Sequence, residues 1–180
     1  MSREVRTRTQ SKPPQRVLNV KAATLAPNTG MKSTDRHELA GLLSVALADS
    51  YALYLKTQGF HWNVAGPLFY SLHKLTEEQY SEMADAIDEL AERIRAIGFP
   101  APASFGQFAE MTQITQERGV PTAEKMIEQL VEGNEICSRS LRVAVKAATD
   151  ADDVKTADLL TERIGQHEQN VWMLRAMLAR

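Results

Sequence analysis

The amino-acid sequence predicts an all-α fold, a four-helix bundle with one long connection in its middle. Four long segments carry apolar residues at the three- and four-residue spacing of an amphipathic helix. Glycine and proline breakers separate these segments, among them Gly66–Pro67, Gly98 and Pro100. No segment shows the strict alternation of apolar and polar residues that is typical of a β-strand. A chain of 180 residues is long enough for one domain with a sizeable core.

The first two helices are predicted in the first half of the chain. The first begins near Ser33–Asp35, where Asp35 followed by Glu38 resembles a capping box, and it ends at about Phe60. The second runs from about Leu68 to Ile97, and Gly98 follows as a C-terminal signal. The second helix has an apolar stripe at spacings of four and three residues, namely Met83, Ile87, Leu90, Ile94 and Ile97.

A long connection separates the second predicted helix from the third. Residues 99–121 exceed the length of a simple helix turn, so we expect them to cross the length of the bundle. The spacing of Phe105, Phe108 and Met111 predicts one short helix within this connection. The third long helix is predicted to begin near Thr122 and the fourth near Asp152. Four long helices with one long middle connection indicate a bundle of the ferritin-like type.

Charge is unevenly distributed along the chain, whose net charge is −2. Residues 1–34 hold seven basic residues against one acidic residue, a net +6, so the remainder carries −8. The same segment contains Pro13, Pro14 and Pro27 but few large apolar residues, so it cannot offset the entropy cost of folding. We therefore divide the chain into a disordered basic arm, residues 1–34, and a bundle domain, residues 35–180.

Composition also bears on the cellular location. No apolar run approaches the roughly 18 residues that span a bilayer, and the N-terminus lacks the apolar core of a secretory signal. Cys137 is the only cysteine, so no intramolecular disulfide can form, which fits a reducing cytoplasm. The Arg-rich, acid-poor start is also typical of an organelle transit peptide, but no helical apolar face is evident there. We expect a cytoplasmic protein without a membrane partner.

Two histidines and three carboxylates form a candidate metal site, namely His61, His73, Glu77, Asp88 and Glu92. Nitrogen and carboxylate ligands together suit a first-row metal such as Fe(II). At 3.6 residues per turn, the four members on the second helix share one face within roughly 100°. The apolar stripe of that helix lies on another face. The alternative is a solvated surface helix, and this is our interpretation of its other acids, Glu78, Glu82, Asp85 and Glu89.

One metal ion cannot contact all of these residues on a single helix. Glu77 and Asp88 lie ~16 Å apart along the axis, at 1.5 Å per residue. A second copy of the helix, placed antiparallel about a two-fold axis at its middle, would bring His73 opposite Glu92 and Glu77 opposite Asp88. Such an isologous contact would create two equivalent metal sites between subunits.

The sequence resembles the mini-ferritins of the Dps family, the DNA-binding proteins from starved cells. The resemblance covers most of residues 35–180 and rests on the H-W-N-V-A-G-P motif at 61–67, on His73, Glu77 and the run from Asp88 to Glu92, and on W-M-L-R at 172–175. One departure is that the family often has aspartate at the position of Glu77. The chain also lacks the E-x-x-H pairs of ordinary ferritin-like di-iron proteins, which argues against bacterioferritin and rubrerythrin.

The resemblance implies a hollow shell of twelve subunits with di-iron ferroxidase centres between two-fold-related subunits. His61, His73 and Glu77 would come from one subunit, and Asp88 and Glu92 from its partner. It also implies that Fe(II) is oxidised, preferably by hydrogen peroxide, and stored as a ferric mineral. Two Fe(II) ions would consume one peroxide, which suppresses hydroxyl radical formation.

Two further groups of residues are weaker candidates. Trp62 adjoins His61, and an oxidisable ring there could act as a radical sink; the alternative is an aromatic side chain that anchors a helix end. Asp153, Asp158 and Glu162 could line an acidic pore for Fe(II) entry, as the family has at its three-fold axes. The alternative is that these acids stabilise the start of the fourth long helix.

The basic arm is the candidate DNA-binding element through six cations, Arg3, Arg6, Arg8, Lys12, Arg16 and Lys21. Cations on a flexible chain neutralise the phosphates of double-stranded DNA without reading its sequence, which would place the protein at the nucleoid. The alternative is a solubilising tail. Two other functions stay open, a structural nucleoid-packing protein with little iron chemistry and a bacterioferritin-like iron protein. Fe(II) oxidation and a haem absorption band distinguish them.

Overall fold

The computed structural model describes residues 26–179, and this part of the chain contains five α-helices and no β-strand. The helices are α1 (Ser33–Asn63), α2 (Phe69–Ala96), α3 (Phe105–Met111), α4 (Ala123–Asp150) and α5 (Val154–Leu178). The predicted all-α class, the four long helices and the short helix in the middle connection are confirmed. Residues 1–25, and with them all six candidate DNA-binding cations, lie outside the described residues.

The start of α1 differs from its prediction in detail. The N-cap residue is Lys32, whose side chain makes no capping hydrogen bond. Asp35 therefore lies inside the first turn, where it accepts a hydrogen bond of 2.9 Å from the Thr34 hydroxyl. The predicted capping box of Asp35 with Glu38 is wrong, because the helix begins two residues before Asp35.

The end of α2 follows the predicted glycine signal. Gly98 has a φ of 101°, a left-handed conformation that favours glycine. Its N–H bonds the carbonyl oxygen of Arg95 at 3.0 Å, and the N–H of Phe99 bonds that of Ile94 at 3.1 Å. These two bonds form a Schellman motif, which ends the helix and turns the chain into the long connection.

The bundle is built around α1, which packs against α2, α3 and α4, while α5 packs mainly against α4. By length and composition α1 could cross a membrane, with a mean hydropathy of 1.3 over its most apolar window, but most of that window is buried inside the protein. A helix that is apolar on most sides is buried in a core. At Gly133 in α4 an added Cβ would lie 2.7 Å from Cδ1 of Leu53, so glycine permits the close approach of α1 and α4.

The apolar core has two clusters, one toward each end of the bundle. The first joins the start of α1 to the end of α2, and its largest fully buried members include Leu39, Leu43, Leu47, Leu90 and Ile94. The second joins the end of α1 to the start of α4, and its members include Leu53, Leu72, Met83, Ile127 and Leu130. Because the buried stripe of α2 serves this core, its opposite face is free to carry polar residues.

A buried carboxylate fixes the long connection to the bundle. Asp49 of α1 has no solvent exposure. Its oxygens accept hydrogen bonds from the Thr112 hydroxyl at 2.9 Å, the Gln113 main-chain N–H at 2.7 Å and the Ser140 hydroxyl at 2.7 Å. With Nε2 of Gln113 at 3.3 Å, four donors satisfy the buried carboxyl group, and they tie the segment after α3 to both α1 and α4.

Two ion pairs connect α2 with α5. They show that the interpretations made from the sequence for Glu82, as a solvated charge, and for Asp153, as a pore residue, are wrong. Glu82 is no ordinary solvated charge, because it accepts from the buried guanidinium of Arg163, with Nη2 to Oε2 at 3.1 Å. Asp153 is buried and accepts from Nη2 of Arg93 at 2.7 Å, while it also caps α5 through the main-chain N–H of Thr156. Both acids therefore hold helices together.

Candidate metal centre

The centre of the candidate site is the pair His61 and His73, which the last turn of α1 and the first turns of α2 bring together. The chain turns between the two helices at Gly66, whose φ of 90° is left-handed. The imidazole rings then stack with centroids 3.8 Å apart and an interplanar angle of 15°. His61 is buried and His73 is half-buried.

Each histidine is held by the main chain of the other. Nδ1 of His61 lies 2.9 Å from the carbonyl oxygen of His73, and Nδ1 of His73 lies 3.0 Å from the carbonyl oxygen of His61. A carbonyl oxygen only accepts, so each Nδ1 carries the proton and donates it. In the neutral form of each ring, Nε2 then keeps its lone pair. Metal-binding histidines are oriented in this way, with one nitrogen fixed by a carbonyl group and the other free to ligate.

Two aromatic side chains flank the pair. Phe69 stacks on His73 with ring centroids 5.0 Å apart, and Tyr80 meets His61 edge to face at 5.2 Å. Both rings limit the rotation of the imidazoles and exclude water from one side of each. Sequence reasoning missed both. For Tyr80 a signal existed, because it follows His73 by seven residues and therefore lies two helical turns along the same side of α2.

Glu77 lies one turn beyond His73 and is half-buried. Its Oε2 accepts a hydrogen bond of 2.8 Å from Nζ of Lys74. This bond lowers the pKa of the Glu77 carboxyl, and the positive charge of Lys74 lowers it further. Glu77 is therefore a carboxylate at neutral pH, paired with an exposed lysine that a metal ion can displace.

Asp88 and Glu92 complete the face of α2 but stay apart from the histidines. Both are exposed, as are the small residues Ser81 and Ala84 that lie between the two halves of this face. Within residues 26–179 no three histidine, cysteine or acidic side chains of one chain converge on a metal position. The single chain thus brings His61 and His73 together, with Glu77 one turn beyond His73. Asp88 and Glu92 lie farther along α2, with Asp88 about 16 Å from Glu77 along the helix axis.

Comparisons with known proteins identify the family of the chain. A family model described as a ferritin-like domain matches residues 40–180. A DNA protection during starvation protein of Bacillus anthracis is 39% identical over 76% of this chain and 94% of its own length. The chain belongs to the Dps family of ferritin-like proteins. Membership in this family indicates a general function in iron storage and DNA protection.

Solved Dps structures share the fold of this Dps-family chain. A Dps protein from Vibrio cholerae, described as a ferritin-like diiron-carboxylate protein, superposes with a TM-score of 0.82 at 32% identity and covers 86% of this chain and 98% of its own. A Dps protein from Bacillus brevis has a TM-score of 0.79 at 38% identity, over 83% of this chain and 100% of its own. The predicted family and ferritin-like bundle are therefore confirmed.

Trp62 does not join the histidine pair in this Dps-family chain. Its side chain is 65% exposed. It lines a cavity of about 430 Å³ between α1, α3 and the connection that follows, together with Tyr51 and Phe105. The exposure does not fit an aromatic anchor at a helix end. A role as radical sink stays a prediction.

The three acids of the predicted iron-entry pore separate into two groups. Asp158 and Glu162 are exposed one turn apart on α5. Asp153 is buried in its ion pair with Arg93. Burial alone would raise the pKa of Asp153, but the hydrogen bonds from Arg93 and Thr156 outweigh it and hold the pKa below its ordinary value. Asp153 therefore has no free face for a passing cation, and its assignment to the pore is corrected.

The remaining histidines of the Dps-family chain, to which the sequence assigns no role, lie outside the candidate site. His37 is exposed and packs edge to face on Phe99 with centroids 5.6 Å apart. His167 is buried, and its Nδ1 lies 2.8 Å from Oδ1 of Asn134. Burial lowers the pKa of His167 to about 3, so the ring stays neutral at physiological pH.

Proposed function

We propose that the chain is a ferroxidase subunit, which oxidises Fe(II) with hydrogen peroxide as the preferred oxidant and stores the ferric product inside a shell of twelve copies. The observation that carries this proposal is the reciprocal bonding of His61 and His73. It leaves two imidazole Nε2 atoms available, and the Glu77 carboxylate lies one helical turn beyond His73. Neutral imidazole with carboxylate is a ligand set that suits Fe(II).

Each site is shared by two subunits in this proposal. One chain supplies His61, His73 and Glu77, while Asp88 and Glu92 come from a second copy of α2 that runs antiparallel across a two-fold axis. The small exposed residues Ser81 and Ala84 support this, because they lie at the crossing point and permit two helices to approach closely. The same symmetry generates two equivalent sites for each pair of subunits.

The residues of the site would bind and orient two Fe(II) ions as substrate. The histidines would bind through Nε2. Glu77 would release its hydrogen bond to Lys74 and bind iron instead. Peroxide needs two electrons to become water, and two adjacent Fe(II) ions supply one each. A pair of irons thus avoids the one-electron reduction that releases hydroxyl radical. The exposed acids of α2 attract the cations to this face.

DNA binding through the basic arm is the second part of the proposed function. The segment carries seven basic residues against one acidic residue, whereas the remainder of the chain is net negative and would repel DNA. Several arms on one shell would contact phosphates without sequence preference. We place the protein in the cytoplasm, at the nucleoid, where iron oxidation would protect the DNA it contacts.

The direct test is anaerobic loading of Fe(II) followed by hydrogen peroxide, with Fe(III) absorbance and peroxide consumption measured together and native mass measured on the same sample. We expect about two Fe(II) oxidised for each peroxide and a particle near twelve times the 20.0 kDa subunit mass. A particle that compacts DNA but oxidises iron no faster than buffer would indicate the nucleoid-packing function instead. A haem absorption band would indicate the bacterioferritin-like one.

A further inference from the structure

A line of tyrosines begins at the candidate iron site. The ring of His61 contacts Tyr80 at a centroid distance of 5.2 Å. Tyr80 contacts Tyr54 at 6.1 Å, and Tyr54 contacts Tyr51 at 6.0 Å. The chain has four tyrosines, and three of them stand in this line. Tyr70, the fourth, is 73% exposed at the start of α2.

We propose that Tyr80, Tyr54 and Tyr51 form a relay that carries oxidising equivalents away from the candidate iron site to the cavity beside α3. The proposal rests on the proposed ferroxidase function, because the oxidant comes from a side reaction at its iron site, in which one Fe(II) reacts alone with peroxide. Phenol side chains lose an electron and a proton more readily than imidazole or the main chain, and electron transfer is fastest between groups in near contact. The successive ring contacts from His61 to Tyr51 meet both conditions.

The surroundings of the three rings fit a relay more closely than a solvent-facing sink. All three tyrosines are half-buried. Tyr54 and Tyr80 meet between α1 and α2, and Tyr51 packs against α3. The phenol oxygen of Tyr54, in the middle, accepts a hydrogen bond of 3.2 Å from Nε2 of Gln58. Trp62 is the neighbour of His61 in sequence, but its ring is mostly exposed, whereas Tyr80 contacts the imidazole directly.

The relay ends where small molecules can reach it. Tyr51 stacks on Phe108 at 4.6 Å and lines the cavity of about 430 Å³ that also holds Trp62. Phe108 is much harder to oxidise than a phenol, so the radical stops at Tyr51. There a small one-electron donor, a thiol or an enediol, can reduce it.

Each step balances in atoms and electrons. When one Fe(II) reacts alone with peroxide, the O–O bond breaks to give Fe(III), hydroxide and a hydroxyl radical. The radical takes a hydrogen atom from the phenol of Tyr80 and becomes water. Tyr54 then gives an electron to Tyr80 and loses its phenolic proton, while Tyr80 takes up a proton. Tyr51 reduces Tyr54 in the same way, and the thiol or enediol restores Tyr51 by giving an electron and a proton.

The test uses the assembled protein loaded with Fe(II) and mixed with peroxide in the presence of a nitrone spin trap. Tyrosyl radicals are measured by freeze-quench electron paramagnetic resonance, and trap adducts are located by peptide mass spectrometry. The variants Tyr80→Phe, Tyr54→Phe and Tyr51→Phe keep each ring and remove only the phenol. Tyr70→Phe is the matched control, and Fe(II) oxidation is followed in every sample.

We expect wild-type adducts at Tyr51, loss of that adduct in Y54F and Y80F, accumulation at Tyr80 in Y54F, and no change in Y70F. Adducts at Tyr51 that persist in Y54F, or wild-type adducts mainly at Trp62 or Tyr70, would overturn the relay while normal iron oxidation leaves the ferroxidase function standing. A wild-type protein that does not oxidise Fe(II) would overturn both.

Discussion

His61 and His73 hold each other in place, because the Nδ1–H of each ring donates to the main-chain carbonyl oxygen of the other residue, at 2.9 and 3.0 Å. The two bonds connect the last turn of α1 to α2 across the turn at Gly66. They define the protonated nitrogen of each ring and so leave both Nε2 atoms available for a metal. The site is therefore partly preorganised before iron arrives.

Loss of one histidine should disable the site without unfolding the bundle. We expect His73→Ala to lower the initial rate of Fe(II) oxidation by at least about ten-fold, since it removes a ligand and the ring that stacks on His61. His37→Ala is the matched control, because His37 is exposed and lies outside the site. Stopped-flow absorbance with peroxide measures the rates. Equal rates in the two variants would exclude His73 as a ligand.

The buried carboxylate of Asp49 should dominate the stability of the long connection. Asp49→Ala leaves the Thr112, Gln113 and Ser140 donors without their acceptor, which should lower the free energy of unfolding by about 3 kcal/mol. Asp85→Ala, at an exposed position of α2, should change it by less than about 0.5 kcal/mol. Urea denaturation followed by circular dichroism measures both, and an equal small effect would contradict the role given to Asp49.

The Arg93–Asp153 ion pair should make stability depend on pH on the acid side. The pKa of Asp153 lies below its ordinary value of 3.8, so its contribution is present above that value and is lost as the pH falls through the folded-state pKa. Asp153→Asn should cost about 2 kcal/mol at neutral pH, because it leaves Arg93 without its counter-ion. The difference from wild type should shrink in acid. Asp158→Asn, at an exposed carboxylate, serves as control for the same denaturation series.

Deletion of the arm should separate DNA binding from iron chemistry. The deletion should stop at Lys32, because α1 begins at Ser33. We expect the truncated shell to lose most retardation of DNA in gels while its Fe(II) oxidation is unchanged. A full-length variant with glutamine at the six arm cations distinguishes charge from length. Wild-type binding should weaken steeply with salt, and undiminished binding by the truncated shell would contradict the proposal.

The helices, and the face of α2 that carries the candidate ligands, could be predicted from the sequence because they depend on the spacing of nearby residues. Helical periodicity and the Gly98 signal predicted α2 and its end, and a fixed angle per residue placed His73, Glu77, Asp88 and Glu92 on one side. The side of α2 that bears them is indeed the one left free by the core. These properties depend on neighbours within a few turns.

What the sequence could not predict depends on partners far along the chain. From the sequence alone, Glu82 is interpreted as a surface acid. Its partner Arg163 lies 81 residues later in the chain, so the ion pair is visible only in the structure. In the sequence, Asp49 is a polar residue within an apolar helix. Three of the four donors that it binds belong to the segment after α3, more than 60 residues later. The mutual bonding of His61 and His73 likewise depends on the exact path of the turn between two helices, which residue types alone do not determine.

The division of each iron site between two subunits is the central claim, and a complementation experiment tests it most directly. One variant carries His73→Ala and Glu77→Ala, and the other carries Asp88→Ala and Glu92→Ala. Each alone should oxidise Fe(II) poorly, because every site has lost ligands. The two are then dissociated and reassembled together, and native mass spectrometry verifies that the particles are mixed.

In a mixed two-fold pair, one site inherits both defects and the other takes its intact halves from different subunits. Random mixing makes half of the pairs mixed, so roughly a quarter of the wild-type oxidation rate should return if the interface is isologous. A site contained within one subunit cannot be rescued in this way. Verified mixed shells that show no recovery above the two separate variants would contradict the account.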